Sequence, residues 1–137
     1  MREILFRGKR TGNEKWICGH LLEQNIPDCH SYIVMSIIAE LDNRHIEIMD
    51  FDINEVIPET VGQFTGLTDK NGVKIFEGDI VRAFTRFSEI YVSSVTYHEG
   101  AFWFKNWSWT KFFFKFEKIE IIGNIYDNPE ILKCPSP

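Results

Sequence analysis

The chain has 137 residues, a formal net charge of −5, and 44% hydrophobic against 26% charged residues. That length supports one ordinary core or two small ones sharing an interface and is short for most cofactor-binding enzyme folds. The acidic balance argues against a surface that grips phosphate over its whole extent, and leaves room only for a local basic patch.

Aromatics make up 15% of the chain, with twelve Phe and four Trp, which favours strands because flat rings pack well on pleated sheets. Short strands are expected at 4–6, 16–22 and 32–38, separated by Gly12-Asn13, which reads as a hairpin turn, and by a loop around Pro27-Asp28. The longest apolar stretch, 32–39, has the size of a buried strand or a two-turn helix. A second turn at Asp42-Asn43-Arg44 leads into 45–49, where Ile46 and Ile48 alternate with His45, Glu47 and Met49 in the two-residue period of a half-buried strand. A further strand at 55–57 meets Pro58, which cannot donate to a ladder and marks a soft boundary.

Beyond Pro58 the strands come at short, regular spacing: 63–67, 73–76, 80–84, 91–97 and 101–104. Asn71-Gly72 supplies two residues that tolerate positive φ and closes a hairpin between the strand ending near Leu67 and the one starting at Val73. Glu77-Gly78-Asp79 forms a tight corner, and His98-Glu99-Gly100 joins the next pair. The last strand is 119–126, after which Asp127-Asn128 caps a single helical turn begun by Pro129. The reading is a mainly β protein: an N-terminal β segment over 1–58, an SH3-like or coiled half-open small barrel over 59–133 with a single-turn C-terminal helix, and a frayed tail at 134–137.

The chemistry-bearing residues form few patterns. Cys18, Cys29 and Cys134 are odd in number and lack CxxC spacing, which suits a reducing compartment. Cys18 and His20 point to one face of a strand near Cys29-His30 in sequence, but this matches no common zinc motif, so no metal or cofactor is expected. Asp50, Asp52 and Glu55 lack the glycine and spacing of a calcium loop and read as a solvated strand end. Asp69 and Asp79 read as turn stabilisers. Nucleophile elbows and phosphate-cradling glycine motifs are missing, so a non-catalytic protein is expected. Arg2, Glu3, Arg7, Lys9 and Arg10 leave no apolar segment for a signal peptide, and no run approaches a membrane span, which points to the cytoplasm.

One constellation carries a functional alternative. Phe102, Trp103, Phe104, Trp107, Trp109, Phe112, Phe113, Phe114 and Phe116 are interleaved with Lys105, Lys111, Lys115 and Lys118. Rings that stack bases and lysines that track phosphates are how small β-barrels hold single strands. Phe102 and Phe104, and Phe112, Phe114 and Phe116, also alternate as core-facing strand positions should. Trp107 and Trp109 are harder to bury, so these two, with Lys105 and Lys111, are the candidate interface or nucleic-acid contact.

The stretch PETVGQFTGLTDKNGVKIFEGDIV over 58–81, with MREILFRGKR at the start and IEIIGNIYDNPEIL over 119–132, resembles the YopX family of small bacteriophage and prophage proteins. The matching positions are Pro58, Glu59, Thr60, Gly62, Gln63, Gly66, Leu67, Asp69, Gly72, Gly78, Asp79 and Val81, then Gly123, Asn124, Ile125, Tyr126, Asn128 and Pro129. The resemblance implies a mainly β architecture and assembly into homo-oligomers, in the cytoplasm of a bacterial host, without an established biochemical activity. If the family shares a binding face, its polar candidates are Gln63, Thr65 and Asp69. The segment 85–118 departs most from the pattern. The expected partners are therefore a second copy of the chain, a phage or host protein, and, behind these, nucleic acid.

Overall fold

The computed structural model describes residues 3–24, 30–42, 45–105, 107–108 and 116–133, with the backbone alone at 36–42, 45–51 and 107. Its strands form two antiparallel sheets, one of six strands and one of five, so the architecture is mainly β. Among the described residues no strand pairing closes either sheet into a barrel. The chain divides into two compact units, Glu3–Gln63 and Phe64–Pro137.

The first unit holds β1 (Phe6–Lys9), β2 (Trp16–Gln24), β3 (His30–Asp42) and β4 (His45–Val56), hydrogen-bonded in the order β4-β3-β2-β1. The free side of β1 pairs with Gly62 and Gln63 at the start of β5 (Gly62–Thr68). Strand β1 lies later than the apolar 4–6 predicted from sequence. Its basic residues fit a strand because the Arg7 guanidinium sits 4.6 Å over the Trp16 ring, with the Lys9 ammonium 5.8 Å from the same ring. The turn after β1 is the expected hairpin, with Glu14 rather than Gly12 at positive φ.

The two strands expected at 45–49 and 55–57 are one continuous strand, β4. The acidic residues between them lie within the ladder, Asp50 opposite Ile37 and Asp52 opposite Met35. Pro58 does end it: a 3-10 turn, Pro58–Thr60, follows. The Thr60 hydroxyl fixes that turn by donating to the Ile57 carbonyl at 2.6 Å while accepting the Lys9 amide at 2.9 Å.

Strand β2 accompanies β3 only as far as the His20–Val34 pair. From Met35 to Asp42, β3 pairs with β4 alone, so the last part of this hairpin is a two-stranded ribbon without a third strand among the described residues. Eight residues at about 3.3 Å each make it roughly 26 Å long. Ser31 and Ile33 on the inner face are almost wholly buried, but Met35, two residues on, is 43% exposed, so the cover stops where the ribbon begins.

The second unit contains most of β5, β6 (Lys74–Phe76), β7 (Asp79–Thr85), β8 (Ile90–His98), β9 (Ala101–Phe104), β10 (Trp107–Ser108) and β11 (Phe116–Asn124). The last five form a sheet in the order β10-β9-β8-β7-β11. Its core is Ile75, Val81, Ala83, Val95, Phe104 and Phe116, with Leu67, Tyr91, Phe102, Ile119 and Ile121 packed around them. Each large side chain removed from water here contributes about 1.5–3 kcal/mol. Phe116 holds the centre, meeting Phe104 edge-on at 5.5 Å and Tyr91 at 5.7 Å.

The expected single helical turn begun by Pro129 is present as a 3-10 turn, Pro129–Leu132. Asn128 does not cap it with its side chain; its Oδ1 instead accepts the Asn124 amide at 3.3 Å. The Asn124 Oδ1 accepts the amides of Tyr126 and Asp127 at 3.0 and 2.9 Å. Gly123 is needed beneath this knot, because a Cβ there would lie 2.7 Å from Asn128 Oδ1.

Candidate binding surfaces

Asp69 organises the β5–β6 hairpin. Its Oδ1 accepts the amides of Asn71 at 2.8 Å and Val73 at 3.0 Å, the local pattern that makes Asp a turn former. Gly72 takes φ +79 while Asn71 keeps negative φ, so the Asn-Gly pair uses one left-handed residue rather than two. The reason is loop length: with the Asp69 amide donating to the Val73 carbonyl at 2.8 Å, the loop is longer than a two-residue turn and ends in a single left-handed position. The far oxygen of Asp69 accepts the Ile121 amide at 3.3 Å, and the Lys70 amide donates to the Ile119 carbonyl at 2.9 Å. The hairpin tip thereby lies along the outer edge of β11.

This docking delivers the Lys70 side chain to a cleft of about 270 Å³ lined by Lys70, Phe84, Thr85, Arg86, Ser88, Glu117 and Lys118. Two local devices build the rest of it. The β7–β8 turn is closed by the Ser88 amide on the Thr85 carbonyl and by the Thr85 hydroxyl accepting the Glu89 amide at 3.1 Å, with Ser88 at φ +64. A β-bulge between Phe116 and Lys118, which oppose Thr85 and Phe84, inserts Glu117 as an extra residue beside Lys118.

Next to the cleft, Arg82 donates to Glu120 at 2.7 Å, and Lys70 Nζ stands 3.7 Å from the same carboxylate. The Arg82 hydrogen bond holds the Glu120 carboxyl below its ordinary value of 4.5, with partial burial opposing and the charges of Arg82 and Lys70 assisting.

The residues singled out from sequence are distributed as follows. Trp109 and Lys111 lie outside the described residues, and of Trp107 the structure describes the backbone, paired with Phe104. Lys105 is exposed at φ +52, with its ammonium 5.3 Å over the Tyr91 ring. Phe104 and Phe116 are core, Phe102 packs against it, and Trp103 stacks on His98 at 4.9 Å on the opposite face. Thr65 donates to the Ile75 carbonyl at 2.8 Å and Asp69 is buried, so two of the three polar candidates are spent on the backbone; Gln63 is half-buried on β5.

Cys18 and His20 are both exposed on β2, His30 pairs with Glu55 at 2.8 Å, and Cys29 lies outside the described residues. Among the described residues no three His, Cys, Asp or Glu side chains gather in a way that could hold a metal ion. No helix there is long and apolar enough to cross a membrane. The basic cleft escaped sequence reasoning because Lys70, Arg86 and Lys118 are far apart along the chain; only the exposed Arg86-Phe87 pair at a hairpin tip offered a local signal.

The fold and surfaces define a two-sheet antiparallel β protein with an open basic cleft and a long β-ribbon. The family model described as YopX protein matches residues 5–133, and the chain belongs to the YopX family. No curated protein matches the chain. In structure it is similar to the crystal structure of protein EF1440 from Enterococcus faecalis, with 24% sequence identity, coverage of 96% of this chain and 99% of that one, and a TM-score of 0.61. That likeness shows a shared fold.

Proposed function

We propose that this YopX protein is a non-catalytic, self-associating binding or accessory module of a phage or prophage, working in the bacterial cytoplasm. The observation that carries the reading is the two-stranded end of β3 and β4. An isolated two-stranded ribbon is marginal in water, and its outer edges carry unpaired N–H and C=O groups that invite another chain. The sequence there adds Ile37, Ile38, Leu41, Ile46, Ile48 and Phe51. A second copy that buried those residues and paired those edges would stabilise the ribbon.

In the same sheet, before the ribbon begins, Leu22 and Ile53 are 53% and 58% exposed beside half-buried Tyr32 and Val34, which adds apolar surface suited to contact. The reading without catalysis is supported by how the buried carboxylates are used. Asp69 and Asp79 accept backbone amides, the latter from Phe76 at 2.8 Å, and so are committed to turns.

Shortening the ribbon tests this directly. Met35 and Asp52 are cross-strand partners, so residues 36–51 can be replaced by a two-residue Asn-Gly turn without changing the register below. Sedimentation equilibrium should give an oligomer for the parent chain and a folded monomer for the shortened one. A monomeric parent, or a shortened variant with the parent's subunit number, overturns the proposal.

A further inference from the structure

We infer that the cleft among Lys70, Arg86 and Lys118 binds a nucleotide unit, phosphate and base together, presented either as a free nucleotide or within a single strand. The first support is charge. Three cations and one carboxylate, Glu117, line one cleft of a chain whose net charge is −5. Neither Arg86 nor Lys118 has a carboxylate partner among the described residues, while the nearby Glu120 is already engaged by Arg82. Lys70 stands 3.7 Å from Glu120 and Glu117 lies in the cleft wall, so an anion entering between Arg86 and Lys118 meets a positive excess that these carboxylates only partly offset.

The second support is the set of neutral donors beside those cations. Ser88 lines the cleft, and the Thr85 hydroxyl, which accepts the Glu89 amide, keeps its own hydrogen to donate. Arginine, lysine and hydroxyl donors on one concave surface are the groups that recognise a phosphate.

The third support separates a nucleotide from a bare anion. The cleft, at about 270 Å³, is close to the lower end of small-molecule sites, roughly 300–1,000 Å³. Phe84 forms part of its wall. Phe87, between the lining residues Arg86 and Ser88, is 78% exposed, the most exposed of the large hydrophobic side chains described. The tip that carries Phe87 is closed by the Ser88 amide on the Thr85 carbonyl and the Glu89 amide on the Thr85 hydroxyl, with Ser88 left-handed at φ +64. An exposed ring beside a cationic cleft is a stacking platform for a base. Glu117 limits the excess charge to one phosphate group and offers an acceptor to base N–H groups.

The full chain is titrated with thymidine 5′-monophosphate, with hexathymidylate and with inorganic phosphate, followed by calorimetry. At least one nucleotide titrant should saturate at one site per chain and bind more tightly than inorganic phosphate. Replacing Arg86 and Lys118 together by Gln should weaken it by about tenfold or more, and Phe87→Ala should weaken nucleotide binding about tenfold while leaving inorganic phosphate unchanged. All three side chains are exposed, so circular dichroism should show the parent fold in both variants. Tighter binding of the monophosphate identifies a free nucleotide; tighter, more salt-sensitive binding of hexathymidylate identifies a strand. The proposal falls if neither nucleotide saturates by millimolar concentration, if the Gln variant binds as the parent does, or if inorganic phosphate binds as tightly as the nucleotides.

Discussion

The carboxylate of Asp69 accepts the backbone amide of Ile121 at 3.3 Å, so one side chain satisfies the edge of β11 where a further strand would otherwise pair. The same carboxylate holds the amides of Asn71 and Val73, and the side chain is almost fully buried. Removing it leaves three amides without their acceptor, each at a cost of roughly 1–3 kcal/mol where water cannot reach. Asp69→Ala should therefore destabilise the protein by about 3 kcal/mol in urea unfolding. Asp69→Asn, which keeps one acceptor oxygen but turns a donor towards one side, should lie between. A loss below about 0.5 kcal/mol for the alanine variant would mean that water replaces the carboxylate at all three amides.

Gly78 and Gly72 both take positive φ, at +92 and +79, but their surroundings differ. A Cβ at Gly72 meets open space, whereas one at Gly78 would lie 3.1 Å from the Tyr126 ring. Gly72→Ala should cost the left-handed penalty alone, about 1–2 kcal/mol. Gly78→Ala should cost at least about 1 kcal/mol more through overpacking. Equal losses would show that Tyr126 moves aside freely.

The two-residue turn between β8 and β9 places Glu99 at φ +52 and Gly100 at φ +77, the combination of a type I′ turn. Glutamate is a poor residue for its first position. Glu99→Asn should raise stability by about 0.5–1 kcal/mol, read as a higher urea midpoint with an unchanged slope.

Glu120 gives the protein an acid-sensitive contact. Its folded-state pKa is held below 4.5 by Arg82, so the stability it contributes is fully present above pH 4.5 and is lost as the pH falls through the lower folded value. Glu120→Gln should flatten the acid side of the stability profile below pH 4.5, and salt should narrow the difference between variant and parent. Parallel acid profiles would contradict the pairing.

What could be read from the sequence was local. The strands of 62–104 follow from alternation and from turn residues such as Asp69, Gly72 and Gly78, whose preferences act within a few positions. Long-range partners were not legible. Asp69 reads as a turn former from its neighbours, but its bond to Ile121 joins residues 52 positions apart and depends on how the sheet folds back. Asp50 and Asp52 look like a strand end because acidic residues are solvated, yet they sit within a ladder, opposite Ile37 and Met35 of β3. Arg7 and Lys9 look unlike strand residues until Trp16 is placed beside them. The basic cleft is assembled from three segments, and apart from the Arg86-Phe87 pair none of them carries a local sign of it.

The central claim is self-association through the β3–β4 ribbon, and native mass spectrometry of the full chain, purified without added ligand, tests it most directly. The account predicts one homo-oligomeric charge series for the parent and a monomer for the variant with residues 36–51 replaced by Asn-Gly. A parent that stays monomeric at micromolar concentration, or a shortened chain that assembles as the parent does, would contradict it.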